Sequence, residues 1–240
     1  MNLRSETLNL LTVLATPTEV FKELRESPRW KLAFVLVTIS SMTIGWFMIP
    51  AIQEPLRKIY VRSFGAGAAE SIVGSMMRSL MVIAMILETG IKLFRWVVLT
   101  SVLYFLSRYV TIKDDHLFKR LFTVAAYSEI VFIVMNLLNL LVIYARGLDR
   151  IENSADLTTV NKGLEIFFAA DSNPPLMTLL SNINIFSLLY IVIFSIGVSV
   201  TTGLKRVGSI GFVSFAWLVW ILLCMVQPFV ERLVLEMTSS

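Results

Sequence analysis

Reactive and metal-binding side chains are scarce in this 240-residue sequence. It contains one cysteine, Cys224, and one histidine, His116. A single cysteine excludes a disulfide or a cysteine-based metal site within one chain. A serine protease of the membrane needs a histidine base beside its nucleophile, and a zinc metalloprotease needs two histidines. His116 lies in a polar stretch, TIKDDHLFKR, so neither protease class fits the sequence.

Other catalytic and cofactor-binding patterns are missing as well. An aspartyl protease of the membrane needs two buried aspartates, but every aspartate falls in a segment that we predict as a loop. These residues are Asp114, Asp115, Asp149, Asp156 and Asp171. No glycine-rich nucleotide-binding pattern occurs, and no basic tract with interleaved aromatic residues indicates nucleic-acid binding. We therefore expect no enzymatic activity, no cofactor, no metal and no nucleic-acid partner.

Charged side chains are also few, at 16% of residues against about 25% in soluble domains. Hydrophobic residues make up 56%, and the mean hydropathy is +0.77. Four apolar blocks are each near the ~20 residues that cross about 30 Å of hydrocarbon. They are residues 32–50, 121–145, 183–203 and 209–229. The sequence therefore predicts an all-α, polytopic membrane helical bundle.

A further apolar region, residues 72–110, is too long for one simple span, because a helix rises about 1.5 Å per residue. It contains three ionisable residues, Glu88, Lys92 and Arg95, in the stretch MILETGIKLFRWVVL. Each charge near mid-bilayer costs roughly 2.5–3.5 kcal/mol on insertion scales. A position at the membrane boundary avoids most of that cost and is therefore the placement that we predict.

On this placement, span 2 covers residues 91–109. Glu88 and Lys92 lie near one membrane face, and Arg95 snorkels toward it. Residues 72–89 form an extra apolar helix before span 2, which is interfacial, re-entrant or part of a long span, and Gly90 is the expected bend. The chain then has five spans.

The distribution of lysine and arginine predicts the topology. With the N-terminus inside, the cytoplasmic segments carry an excess of basic over acidic residues, and the external segments do not. We expect a cytoplasmic segment at residues 1–31, a five-span membrane domain at 32–229 and a short external tail at 230–240.

The segment TPTEVFKELRESPRW predicts an amphipathic helix before the first span. Thr16 is the expected N-cap, with Glu19 completing a capping box. The apolar face consists of Val20, Phe21 and Leu24. Three following residues suit a headgroup anchor at the cytoplasmic surface. They are Arg29, Trp30 and Lys31.

Polar residues inside the apolar segments are the candidate functional residues. They are Glu88, Lys92, Arg95, Glu129, Asn136 and Asn139. The first three share a helix face, and Glu88 before Lys92 is the favourable order for a pair. They form either a polar path for an ion or proton, or an interfacial stripe with interhelical hydrogen bonds elsewhere. The predicted topology puts Lys92 outside and Glu129 nearer the inside, which argues against a direct pair.

Small residues in spans 4 and 5 are candidates for close helix packing. They are Gly197, Thr201, Gly203, Gly208 and Gly211. Packing within the bundle and a subunit interface are both open.

Three stretches share an order of residues with one family of membrane proteins. They are TPTEVFKELRESPRWKLAF, FKRLFTVAAYSEI and SNINIFSLLYIVIFSIGVSV. Together they resemble the Yip-domain family, named for interaction with Ypt/Rab GTPases, over roughly residues 16–230. The resemblance implies five spans, a cytoplasmic N-terminus and no known catalytic residues. The short N-terminal segment is similar to that of a bacterial member, which implies the plasma membrane of a bacterium.

Some bacterial members resemble accessory subunits of ABC exporters of the macrolide-exporter type, which also use an adaptor protein. The resemblance therefore implies a non-enzymatic accessory or scaffold protein whose partners are membrane lipids and another integral membrane protein, such as an exporter permease with its adaptor. We expect the contacts at the 72–89 helix, span 2 and the loops 51–71 and 146–182. The residues leave open a small transporter or channel with a hydrated cavity.

Overall fold

The computed structural model describes residues 9–64, 66–110, 114–151, 157, 160, 162–168 and 173–239. Eight α-helices lie wholly within these ranges. They are α1 (Pro17–Glu26), α2 (Trp30–Phe64), α3 (Ala66–Val110), α4 (Leu117–Ser128), α5 (Ile130–Arg146), α6 (Pro174–Ser181), α7 (Ile185–Thr202) and α8 (Arg206–Ser239). Two 3₁₀ turns, Leu148–Arg150 and Leu164–Phe167, lie between α5 and α6. The described residues contain no strand, and the predicted all-α class is confirmed.

Four helical segments are long and apolar enough to cross a membrane. They are Trp30–Gln53, Leu117–Arg146, Ile185–Thr202 and Arg206–Val226. Each contains most of one of the four predicted apolar blocks, so the polytopic membrane architecture is confirmed. The predicted span at residues 91–109 is not among the four. A total of five spans therefore remains a prediction.

Helix α3 is one continuous helix of 45 residues, which replaces the two helices expected in this region. The predicted bend at Gly90 is wrong, because α-helical structure passes through this residue. A Cβ at Gly90 would meet nothing within 4 Å, so no neighbour forces a bend. The helix is about 68 Å long, more than twice the hydrocarbon thickness of about 30 Å.

The expected external loop at residues 51–71 is also wrong. Helix α2 continues to Phe64 and α3 begins at Ala66, with only residue 65 outside the described part. Half of the stretch QEPLRKIYVRSF consists of good helix formers. It also contains Pro55, so helix propensity alone does not explain why the helix extends past its apolar span.

The chain divides into two compact units, each assembled from separate segments. Unit 1 consists of Met1–Phe34, Arg95–Val131 and Lys162–Ser240, and unit 2 of Val35–Phe94 and Phe132–Asn161. The three-part organisation predicted from the sequence, 1–31, 32–229 and 230–240, remains a prediction. Within its last part the backbone is helical through Ser239.

In unit 1, the amphipathic helix α1 packs on α7 and α4. Its predicted apolar face is buried. The predicted capping box is wrong: Thr16 is the N-cap, but its side chain makes no capping bond. Its hydroxyl donates to the Thr12 carbonyl at 3.4 Å. A Cβ on Gly197 would lie 2.2 Å from Val124 Cγ1. The missing side chain is therefore what lets α7 approach α4 this closely.

In unit 2, α2 and α3 form an antiparallel pair. Ser41 contacts Lys92, and Gly45 lies against Met85, so residue numbers rise on α2 as they fall on α3. Helix α5 joins this pair through the Tyr144 hydroxyl, which donates to a carbonyl of α2 at 2.8 Å. A small core of Ala51, Ile143 and Ile151 packs beside this contact.

Candidate functional site

The ionic centre of unit 1 is a pair between Arg95 on α3 and Glu129. Arg95 Nη2 donates to Glu129 Oε1. The other carboxylate oxygen, Oε2, accepts a hydrogen bond from Trp96 Nε1 at 3.0 Å. The side chain of Glu129 is 1% exposed and that of Arg95 is 14% exposed. Both oxygens of this buried carboxylate therefore have a donor, which a buried charge requires.

The chain geometry around Glu129 explains how one carboxylate meets two donors. Helix α4 ends at Ser128 and α5 begins at Ile130, so Glu129 occupies the break between them. Arg95 and Trp96 are consecutive residues on α3, and they reach the two oxygens of the same carboxylate. A hydrogen bond from the Ser128 hydroxyl to the carbonyl of Val124, at 2.8 Å, closes the last turn before the break.

Aromatic rings surround this pair within unit 1. The Arg95 guanidinium carbon lies 6.0 Å from the Tyr190 ring centroid and 5.9 Å from that of Trp217. Trp96 makes edge-to-face contacts with Phe34 and Phe122. The faces of aromatic rings carry negative partial charge that favours a cation. The positive charge is therefore stabilised by π systems in addition to the carboxylate.

The pair lies far from the ends of the apolar helices. Glu129 is near the midpoint of Leu117–Arg146, and Trp217 is near the midpoint of Arg206–Val226. These contacts favour a position of Arg95 inside unit 1 over the expected snorkelling to a membrane face, which remains a prediction. The expected separation of Glu129 from Arg95 is wrong, because the two side chains form an ion pair.

A second ionic group, in unit 2, contains the other two charges of the stripe. Lys92 Nζ lies 2.6 Å from Glu88 Oε1 and 2.6 Å from the Ser41 hydroxyl oxygen. The Lys92 side chain is 13% exposed and that of Glu88 is 46% exposed. Ser41 is near the midpoint of the apolar helix Trp30–Gln53, which places Lys92 away from the predicted membrane face. Sequence reasoning missed Ser41, although hydroxyl groups in the apolar run ISSMT were the available signal.

A cleft of about 240 Å³ lies between α2, α3 and α5 in unit 2. Its polar lining comes from Ser41, Glu88, Asn136 and Asn139. The apolar lining consists of Ile44, Gly45, Met48, Ile52, Ala84 and Met85. The cleft combines polar side chains with an apolar wall, but its volume is below the range of about 300–1,000 Å³ that is typical of small-molecule sites.

Asn139 uses its amide to hold the segment that follows α5. Its Nδ2 donates to the Leu157 carbonyl, and its Oδ1 accepts from the Val160 N–H at 3.2 Å. Asn139 therefore has a structural connection in addition to its place in the cleft lining.

Comparison with known proteins identifies the family. A family model of the Yip1 domain matches residues 11–227. The chain belongs to the Yip1 domain family. The matched range contains both ionic groups and all four apolar helices, and the protein is a multi-pass membrane protein. No curated protein and no solved structure matches the chain.

The small residues of this Yip1-domain protein have different surroundings. Gly203 ends α7 in the left-handed conformation, with φ of 75°, and its N–H donates to the Ser199 carbonyl at 2.9 Å. Thr201 is buried. A Cβ on Gly208 or Gly211 would meet nothing within 4 Å. Within the described part of the chain, no helix therefore packs closely on these two glycines. A subunit interface at them remains a prediction.

The three predicted anchor residues lie at the start of α2. Trp30 packs edge-to-face on Phe122, with 5.3 Å between ring centroids. Arg29 Nε donates to the Ser27 hydroxyl at 3.0 Å, and Lys31 is exposed. Trp30 therefore packs within the protein, whereas Arg29 and Lys31 are exposed at its surface. In the described ranges no group of three His, Cys, Asp or Glu side chains is placed to hold a metal ion.

Proposed function

We propose that this Yip1-domain protein is a non-enzymatic membrane accessory or scaffold protein that binds another integral membrane protein. The ion pair of Arg95 and Glu129 supports this proposal best. Both carboxylate oxygens accept hydrogen bonds, from Arg95 and from Trp96, and aromatic rings flank the guanidinium. A carboxylate engaged in this way joins helices, and this is the role that we assign to Glu129.

In this proposal α3 supplies a fifth span. Arg95 contacts residues near the midpoints of two apolar helices, and Lys92 contacts Ser41 near the midpoint of another. These contacts support a span of α3 that has its charges at mid-depth, paired inside the protein. The N-terminus would be cytoplasmic and the C-terminus external, in the plasma membrane of a bacterium.

The partner would bind at α3 and at the end of α2. Helix α2 extends from Gln53, the last residue of its apolar span, to Phe64, which adds roughly 16 Å of helix. Residues 82–97 of α3 carry a row of exposed apolar side chains at helical spacing. They are Val82, Ile83, Ile86, Leu87, Ile91, Phe94 and Val97. Together, the helical extension and this row offer a partner both an extramembrane and a lipid-embedded contact.

An ABC exporter permease with its adaptor is the partner that the family resemblance suggests. This sequence carries no nucleotide-binding pattern. In this proposal, ATP would therefore be bound and hydrolysed by the exporter. Part of the acidic segment at residues 146–182 would contact the adaptor.

Affinity purification in a gentle detergent, followed by mass spectrometry, tests the accessory function. The test variants are Val82→Trp and Ile86→Trp, in the exposed row of α3. The matched control is Val192→Trp, which enlarges an exposed apolar residue of α7. We expect one membrane complex to co-purify with the wild type and the control and to be depleted in the α3 variants. Repeated recovery of no membrane partner, or equal recovery from all variants, contradicts the proposal.

A small transporter or channel is the second candidate, and the cleft in unit 2 favours it. Ser41, Glu88 and Asn136 line the cleft near the Lys92 ammonium, so a small polar substrate would find both donors and acceptors. Flux by the purified protein alone in proteoliposomes, abolished by Glu88→Gln in the cleft lining, would establish transport over the accessory function.

A further inference from the structure

Four large apolar side chains are exposed on a turn between α5 and α6, outside the helices that qualify as spans. They belong to Leu164, Ile166, Phe167 and Phe168, and Phe167 is 77% exposed. We call residues 164–168 the apolar turn. Such a patch marks contact with a protein or a membrane rather than with water.

The apolar turn is fixed to the chain just before α7. The Leu164 N–H donates to the Ile183 carbonyl at 3.2 Å, and the Phe168 N–H donates to the Glu165 carbonyl at 3.1 Å. A Cβ on Gly163 would lie within 2.8 Å of three carbonyl oxygens at and after the end of α6, the nearest at 2.6 Å. Only a glycine allows this approach of backbone to backbone, so the position of the turn is built into the sequence.

This attachment sets the level of the turn relative to the bilayer. Ile183 lies two residues before Ile185, the first residue of the apolar helix Ile185–Thr202. The apolar turn is therefore at the end of a membrane-spanning helix. Outward-facing residues of α7 near this end are also apolar and exposed. They are Ile185, Leu188, Leu189 and Val192. Apolar side chains are therefore exposed both on the turn and at this end of α7.

The charges beside the apolar turn fit a lipid surface. Lys162 is exposed, and its ammonium is available to lipid phosphates at the interface. Within the turn, the acidic residue Glu165 directs its carboxylate back to the Gly163 N–H, at 2.8 Å. That carboxylate is engaged inside the turn, which reduces its repulsion of anionic lipids.

We propose that the apolar turn inserts into the membrane interface at the end of α7, with lipid as its partner. Phe167 and its apolar neighbours lie among the upper acyl chains, and Lys162 lies at the phosphates. This part of the predicted loop 146–182 then binds lipid and is not available to an adaptor protein. The proposal is independent of the accessory or transport function.

Spin-label accessibility in proteoliposomes of phosphatidylcholine and phosphatidylglycerol tests the proposal. A nitroxide is attached at Phe167→Cys or at Lys162→Cys, each in a Cys224→Ser background. We expect the label at position 167 to collide several-fold more often with oxygen, which concentrates in acyl chains, than with a water-soluble nickel complex. The label at 162 should show the opposite preference.

Two results would overturn the proposal. A label at 167 that prefers the nickel complex faces water, and a label shielded from both reagents is covered by protein. Gly163→Ala provides a second variant in the Phe167→Cys background, because its new methyl group displaces the turn from the end of α6. We expect the oxygen preference at 167 to fall in this variant while the gel-filtration profile stays unchanged. An unchanged preference would show that the attachment to α6 and α7 does not set the depth.

Discussion

Replacing the buried carboxylate of Glu129 by an amide should destabilise the protein strongly. Glu129→Gln preserves the size of the side chain and one acceptor for Arg95 or Trp96, but it removes the negative charge. Arg95 then carries an uncompensated charge among aromatic rings in the interior of unit 1. The outcome depends on whether the loss resembles that of a hydrogen bond or that of a buried ion.

Two reference magnitudes differ enough to decide between these cases. Interhelical hydrogen bonds in membrane bundles contribute about 0.6 kcal/mol on average, whereas breaking a buried ion pair costs about 3–5 kcal/mol. Because Glu129 is 1% exposed and lies between the apolar helices α4 and α5, we expect a loss of about 3 kcal/mol. At about 2–4 °C per kcal/mol for a chain of this size, the Tm should fall by about 6–12 °C.

The assay is thermal unfolding of the purified protein in a mild detergent, followed by tryptophan fluorescence. Glu88→Gln is the comparison variant: Glu88 is 46% exposed, and Lys92 keeps the Ser41 hydroxyl as a second partner, so we expect a smaller fall in Tm. Adding Arg95→Met to Glu129→Gln should recover at least half of the lost stability, since the buried cation is then removed. Equal Tm shifts for Glu129→Gln and Glu88→Gln, or full additivity of Arg95→Met with Glu129→Gln, would refute the reasoning.

Four further variants test the packing of the helices and the attachment of the segment after α5. Gly197→Ala should lower stability by about 1–3 kcal/mol through overpacking against Val124. Gly208→Ala, in open space within α8, should raise stability by up to about 1 kcal/mol. Thermal unfolding compares the two variants, and equal Tm shifts would contradict the close contact at Gly197. Gly203→Ala should cost about 1 kcal/mol because of the positive φ, and a Tm equal to that of the wild type would contradict that strain. Asn139→Leu removes both hydrogen bonds to the segment after α5, so amide hydrogen exchange should accelerate at Val160; unchanged exchange there would count against the bond.

The elements predicted best are those that a single stretch of sequence specifies. Long apolar runs require helices in a bilayer, because backbone polar groups have no water there. The apolar face of α1 was also predictable, since Val20, Phe21 and Leu24 follow the helical period. Family membership followed from local motifs spread along the chain.

The ionic groups were predicted less well, because their energies depend on partners distant in sequence. The prediction that Arg95 lies at a membrane face assumed that each charged residue carries its full insertion cost alone. A carboxylate 34 residues away and the Tyr190 and Trp217 rings offset that cost, and no local spacing reveals them. Lys92 was similar, because Ser41 lies 51 residues before it. Only the pair of Lys92 with Glu88, four residues apart, was visible in the sequence.

The continuity of α3 was missed for a related reason. A glycine in a helix costs roughly 1 kcal/mol relative to alanine, which is too little to end a helix whose neighbouring turns remain intact. A Cβ at Gly90 would meet nothing within 4 Å, so no packing contact depends on a bend at this residue. Composition identifies where a helix is weaker, but it does not determine where the helix ends.

The ion pair also constrains how the chain enters the bilayer during synthesis. Arg95 leaves the ribosome 34 residues ahead of Glu129, a delay of roughly 2–7 s at about 5–20 residues per second. If α3 partitioned into lipid during that interval, its guanidinium would have no counter-charge. The proposed topology therefore favours retention of α3 at the insertion machinery until α4 and α5 have emerged, so that Arg95 enters the membrane already paired with Glu129.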